Sequence, residues 1–227
     1  MNKVIFSWYL IMHNTVQNLI NIKNKIKETN QTYNSIKIIA VSKTFPLEKI
    51  VPLVDYGHLD YGENKVQEAM EKWSEIKAKK LDIKLHLIGR LQTNKVKLAV
   101  TLFDYIHSLD SLKLAKKIAD EELKQSKKLK IFIQVNLGNE EQKSGIQLDQ
   151  LDELYQCAIS LNLDVIGLMC IPPESEDPSI HFEKLKLLNE RLGLKELSMG
   201  MSTDFIKAIE NQATYIRIGS NIFGSRS

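Results

Sequence analysis

Two hydrophobic rhythms alternate along this chain from near its start to its end. Asn14 to Thr29 carries apolar residues at Val16, Leu19, Ile20, Ile22 and Ile26, mostly at helical spacing. Ile36 to Lys43 (IKIIAVSK) is different: a short, nearly continuous β-branched run that reads as a buried strand. Pro46 then opens a helical stretch over Leu47 to Tyr56, and proline suits a first helical turn. Strand-like runs recur at Leu59 to Asn64, Lys84 to Arg90, Tyr105 to Asp110, Lys130 to Leu137, Asp164 to Ile171, Glu196 to Ser202 and Tyr215 to Phe223. Helical stretches separate them at Lys65 to Lys80, Thr93 to Leu102, Ser111 to Ser126, Leu148 to Leu161, Pro178 to Arg191 and Thr203 to Gln212.

The pattern therefore predicts eight strands, seven intervening helices and one leading helix. Strict alternation of strand and helix favours a parallel sheet, and eight units suggest a closed (β/α)8 barrel of TIM type. Residues 1–227 read as a single domain, with no linker or low-complexity segment. The alternative is an open doubly wound sheet with a glycine-rich first turn. Here that turn is Ser42-Lys43-Thr44-Phe45-Pro46, and neither GxGxxG nor GxxxxGK[ST] occurs anywhere. Nothing substantial follows the eighth strand, so the leading helix is expected to cover the gap left by a missing last helix.

Composition narrows the class. The 227 residues contain 31 Lys plus Arg against 28 Asp plus Glu, a net charge of +3 that is too even to imply a nucleic-acid binder. Apolar residues at 43% and charged residues at 26% exclude disordered and collagen-like chains. Cys157 and Cys170 are the only cysteines and form no CxxC pair, which argues against a disulfide scaffold or a thiolate zinc site and for a reducing cytosol. The apolar run Val4 to Met12 is shorter than the roughly 20 residues that span a bilayer. No A-x-A-like cleavage site follows it, so it reads as the start of an amphipathic helix.

Strand parity separates the two faces. Ile131, Ile133, Val135 and Leu137 suit the helix layer, leaving Phe132, Gln134 and Asn136 to point into the barrel. Lys43 shares parity with Ile39 and Val41, His86 with Ile88 and Arg90, and Arg217 with Tyr215 and Gly219. Buried polar groups cost several kcal/mol each without partners, and barrel enzymes place their chemistry at the carboxyl ends of the strands. Lys43 is the sharpest candidate, since a desolvated lysine has a lowered pKa and an amine available for Schiff-base formation. A lysine snorkelling past the strand end fits the same pattern. Met201-Ser202-Thr203-Asp204 joins the seventh strand to a helix, where Ser202 or Thr203 could cap it and leave N–H groups for an anion. With Gly219-Ser220 after the eighth strand, this matches the usual barrel phosphate site, although an ordinary cap and turn would look alike. His86 could be a base or, like His107, a hydrogen-bonded core residue. No HxH or HExxH pair supports a metal. Lys79-Lys80 and Lys127-Lys128 read as solvated helix ends.

In order, the segments IIAVSKTFP, YGENKVQE, HLIGRLQTNK, IHSLDS, QVNLGNEEQKSG, GLMCIPP, LSMGMSTDFIKAI and RIGSNIFGSR resemble the pyridoxal phosphate homeostasis proteins, relatives of the N-terminal barrel of alanine racemase. The match runs from about Ile38 to Arg226. The resemblance implies a protein that binds and buffers pyridoxal 5'-phosphate in vitamin B6 homeostasis rather than an enzyme. It implies that Lys43 holds the cofactor as a Schiff base, that Ser202, Gly219 and Ser220 cradle its phosphate, and that Arg217 faces its pyridine nitrogen. Asn64 and His86 belong to the site-side motifs, and Lys143 is a candidate mobile lysine near the mouth. Apo-enzymes that receive the cofactor are the implied partners of a cytoplasmic monomer that binds neither nucleic acid nor membrane. Ser220 departs from the Thr many members carry, and little chain follows Arg226. The competing expectations are a pyridoxal-phosphate-dependent amino-acid racemase and a sugar-phosphate barrel enzyme using Lys43 without a cofactor.

Overall fold

A computed structural model describes residues 13–29, 36–80, 82–138 and 144–225. The strands are β1 Lys37–Val41, β2 Asp60–Glu63, β3 Lys84–Leu87, β4 Tyr105–Leu109, β5 Lys130–Gln134, β6 Asp164–Met169, β7 Glu196–Ser198 and β8 Tyr215–Ile218. Each pairs in parallel with the next, and β8 returns to β1 with Ile39 opposite Arg217. The sheet is a closed barrel in sequence order, the (β/α)8 architecture that the alternation predicts.

Helices wrap the barrel: α1 Asn14–Glu28, α2 Leu47–Tyr56, α3 Val66–Lys79, α4 Val96–Leu102, α5 Leu112–Gln125, α6 Leu151–Ser160, α7 Pro178–Arg191, α8 Phe205–Glu210 and α9 Ser220–Phe223. Two of their caps follow directly from the local sequence. The Ser111 hydroxyl accepts from Leu114 N at the start of α5, and the Asp177 carboxylate accepts from Ser179 N ahead of Pro178.

Two apolar layers hold the fold together. Outward residues such as Ile131, Ile133, Val135 and Leu137 join the large core beneath the helices. Inside the barrel, Ile39, Val41, Tyr105, Phe132, Met169 and Tyr215 form a smaller cluster. The parity reading of β1, β5 and β8 therefore holds.

The end of the chain differs from expectation. The eighth strand stops at Ile218 instead of continuing to Phe223, and Ser220–Phe223 forms the short helix α9. Ile222 and Phe223 are buried in this turn, so their apolarity imitates a longer strand. The leading helix does cover the seam. Asn18 Nδ2 in α1 donates to the Ile222 carbonyl at 2.9 Å, and Phe45 stacks on Phe223 with ring centroids 5.0 Å apart. The seventh strand is likewise shorter than read, ending at Ser198, so Met201-Ser202-Thr203-Asp204 is a loop at the mouth.

Candidate functional site

A cavity of about 380 Å³ opens at the carboxyl ends of the strands. Lys43, Asn64, Ser202, Arg217, Gly219 and Ser220 all line it, from the ends of β1, β2, β7 and β8. Val41, Phe45, Ile88, Ile171 and Met201 supply its apolar surface. Six of the seven sequence candidates thus meet around one space.

His86 is the exception. Its inward parity is right, but it is fully buried and is not among the walls of the cavity. It lies deeper, stacked on Tyr105 with ring centroids 4.1 Å apart. Parity fixes the face of a strand and leaves depth along the barrel axis open. Lys143 and the residues before His13 lie outside the described residues.

The loop bearing Lys43 is built by charged groups the sequence reading passed over. Glu63 is fully buried, and its Oε1 accepts from Ser42 Oγ at 2.7 Å, Trp73 Nε1 at 2.9 Å and Lys72 Nζ at 3.0 Å. The same ammonium donates to the Ser42 carbonyl at 2.9 Å and to Glu68 Oε1 at 3.1 Å. Glu68 in turn accepts the Thr44 N–H at 2.7 Å. Both backbone neighbours of Lys43 are therefore clamped. Thr44 has φ +65°, a left-handed conformation costly for a β-branched residue, of the kind that persists only where surroundings over-determine it. The motif YGENKVQEAMEKW holds all three charged members, but Glu63 and Lys72 lie either side of a strand–helix turn, where no periodicity links them.

Beside Lys43, the ends of β8 and β7 present a cluster of donors. Ser202 does not cap α8; its Oγ accepts from Gly219 N at 3.3 Å and from Asn221 N at 3.5 Å. Asn221 Nδ2 also donates to the Ser202 carbonyl at 2.7 Å, fixing the two loops together. Asp204 occupies the cap position of α8 and accepts from Met201 N. These backbone N–H groups, held only by long contacts to a serine hydroxyl and next to a glycine without side chain, are the donor set an anion can draw on.

Arg217 is 4% exposed, yet it forms a wall of the cavity. Its Nη1 donates to Ser198 Oγ at 2.8 Å and its Nη2 to the Cys170 carbonyl at 2.9 Å. Burial pushes its pKa below the usual guanidinium value, the Cys170 thiol and Asp204 opposing that shift. The Cys170 thiol is itself pushed up to about 12 by burial, so it carries no thiolate chemistry. Among the described residues lining the cavity there is no tyrosine, histidine, cysteine or carboxylate. Gly89 allows the close approach at the Asn64 wall: a Cβ there would lie 2.5 Å from the Asn64 carbonyl oxygen. No group of three or more metal-ligating side chains occurs among the described residues, and no described helix is long and apolar enough to cross a membrane.

Residues 17–227 match the alanine racemase N-terminal domain. The pyridoxal phosphate homeostasis protein of Aquifex aeolicus (strain VF5) is 41% identical over 218 residues, which cover 92% of this chain and 95% of the relative. The protein of that name from Escherichia coli (strain K12) is 36% identical over 233 residues, covering 95% and 98%. Among solved structures, PipY of Synechococcus elongatus PCC7942 with PLP bound superposes with a TM-score of 0.83 at 32% identity, covering 92% of this chain and 100% of that one. Alanine racemase of Clostridium difficile 630, at 17% identity and a TM-score of 0.69, shares the fold. The chain belongs to the alanine racemase N-terminal domain family and, within it, to the pyridoxal phosphate homeostasis proteins.

Proposed function

We propose that this protein binds pyridoxal 5'-phosphate covalently through Lys43 and carries or buffers it, without turning over amino acids. One observation carries the reading. A primary amine from β1, an anion-type donor set from the ends of β7 and β8, and a guanidinium from β8 converge on one cavity of about 380 Å³. When bound, pyridoxal phosphate supplies an aldehyde that condenses with a primary amine, a phosphate dianion and an electron-withdrawing ring.

The residues present fit that group. The Lys43 amine is the attachment point, held at the strand end by the clamp on Ser42 and Thr44. Ser202, Gly219 and Ser220 receive the phosphate, with the Asn221 N–H beside them. Arg217 faces the ring nitrogen and donates to it; a fixed positive charge there disfavours protonation of that nitrogen. Asn64, at the end of β2 on the other side of β1, bounds the ring. The whole chain, residues 1–227, acts as one cofactor-binding domain, a cytoplasmic monomer that delivers its cargo to apo-enzymes.

Racemisation needs an acid–base group on each face of the substrate carbon. Lys43 is the only ionisable lining side chain besides Arg217, so the second base is missing from the described walls. One positioned acid–base group contributes about 10²–10⁴-fold. Holo-protein incubated with L- or D-alanine in deuterated water is therefore expected to show only trace Cα deuteration. Exchange at enzyme-like rates would overturn the carrier reading in favour of the racemase.

Attachment is tested directly. Protein mixed with pyridoxal phosphate should gain an absorbance near the visible edge, and borohydride followed by peptide mapping should place a pyridoxyl group on Lys43. Lys43→Ala should lose the absorbance and stay folded, because the half-buried side chain contributes little packing. A label only on another lysine refutes the assignment. No absorbance at all favours a cofactor-free sugar-phosphate enzyme.

A further inference from the structure

A polar chain crosses the barrel interior beneath the cavity and ends at a carboxylate. Asp60, the first residue of β2, is 22% exposed at the opposite mouth, and its Oδ1 lies 3.0 Å from His86 Nε2. His86 Nδ1 is 2.9 Å from His107 Nε2, and His107 Nδ1 is 2.8 Å from Ser198 Oγ. Ser198 Oγ also receives Arg217 Nη1 at 2.8 Å. His86, His107 and Ser198 are each fully buried.

We propose that Asp60 is a positioning residue for Arg217, acting through a one-way hydrogen-bond chain in which His86 and His107 are both held as neutral Nε2–H tautomers. The argument is one of donors and acceptors. An ionised carboxylate only accepts, so His86 Nε2 carries the proton and, in a neutral ring, His86 Nδ1 is bare. His107 must then donate from Nε2, which leaves its Nδ1 to accept the Ser198 O–H. From the other end, a guanidinium only donates, so Ser198 Oγ accepts from Arg217 and has its own proton free for His107. Both ends dictate the same direction.

The surroundings support neutral rings. Burial lowers the pKa of His86, although Asp60 and Asp104 oppose it and Lys37 adds to it. Burial, with His86 and Arg217, takes His107 well below the ordinary value. The rings are also fixed in plane: His86 stacks on Tyr105, and His107 on Phe132 with centroids 4.4 Å apart.

The chain answers a problem that Arg217 poses. Its Nη1 and Nη2 hydrogen-bond to a neutral hydroxyl and a neutral carbonyl, and the Asp204 carboxylate acts on it only through space, so burying the cation is costly. Aligned hydrogen bonds polarise one another, so the negative end of Asp60 is felt at Ser198 Oγ. Two guanidinium N–H groups are thereby pinned inward, and the remainder serve the cavity.

This inference deepens the cofactor reading, but its first test needs no ligand. Nitrogen-15 NMR of histidine-labelled, ligand-free wild type at neutral pH should show His86 and His107 neutral and protonated at Nε2. A charged ring, or an Nδ1–H form of either, overturns the proposal even if no variant folds. Asp60→Asn keeps the shape but offers an amide that can donate to His86 Nε2, which permits the chain to reverse. An Nδ1–H population of His86 should appear, and pyridoxal phosphate should bind roughly tenfold more weakly, the worth of one hydrogen bond to a charged group. Unchanged tautomers in the variant overturn the proposal, and so do switched tautomers with unchanged affinity. If wild type fails to bind pyridoxal phosphate, the cofactor reading falls while the tautomer result still decides the chain.

Discussion

Lys72→Met is expected to destabilise the protein by about 3–5 kcal/mol, the usual cost of removing one partner from a buried ion pair. The side chain of Lys72 is 10% exposed and that of Glu63 is fully buried. All three ammonium hydrogens have acceptors: Ser42 O, Glu63 Oε1 and Glu68 Oε1. Methionine fills similar space but satisfies none of them, leaving a carboxylate inside the helix layer with only Ser42 and Trp73 as donors. Denaturant titration should show the loss as a lower midpoint at unchanged slope. A second effect falls on the site. The same ammonium holds the Ser42 carbonyl and orients Glu68, which keeps Thr44 in its left-handed conformation. Without it the Lys43 amine loses its fixed approach, and misplacement by about 1 Å can cost about 10²-fold in rate. Borohydride-trapped attachment should therefore be slower in the folded fraction of the variant. A midpoint and a trapping rate equal to wild type would sink the clamp.

The architecture was legible because a closed parallel barrel writes the same short-range pattern eight times. In β5 both faces are read from one segment: Ile131 and Ile133 outward, Phe132 inward. Lys43 stood out for the same reason, as a charge at the end of a β-branched strand. What failed is what one strand cannot encode. His86 has the right parity, but its depth is set by barrel stagger, which also brings Ser198 opposite Tyr215. His107 and Ser198 are 91 positions apart and meet only because β4 and β7 enclose one interior. The stop at Ile218 was hidden because Ile222 and Phe223 bury themselves in a helical turn as well as they would in a strand. Glu63 and Glu68 sat in a motif that carried the family resemblance, with Lys72 just beyond it, yet their role needs the β1 loop placed against α3. Recognition of the motif named the neighbourhood and not the contact.

Gly219→Val is expected to weaken pyridoxal phosphate by about 100-fold while leaving phosphate-free pyridoxal almost unaffected. The fold should accept the change. Gly219 has φ −109°, which an L residue can adopt, and a Cβ there would meet Val41 Cβ at 3.6 Å, an ordinary contact. Gly219 lines the cavity, so the two methyl groups beyond that Cβ are expected to crowd the corner where the Gly219 N–H and the Ser202 hydroxyl converge. An anion kept from those donors loses two charge-assisted hydrogen bonds at about 1.5 kcal/mol each. That sum of about 3 kcal/mol is a factor of about 100 in affinity. Pyridoxal lacks the phosphate, so its attachment to Lys43 depends on the amine and on Arg217, neither of which the valine touches. Titration of both ligands against wild type and variant, read by the Schiff-base absorbance, separates the two contributions. Equal losses for both would move the phosphate away from the β7 and β8 loops; no loss for either would leave Gly219 as a turn residue alone.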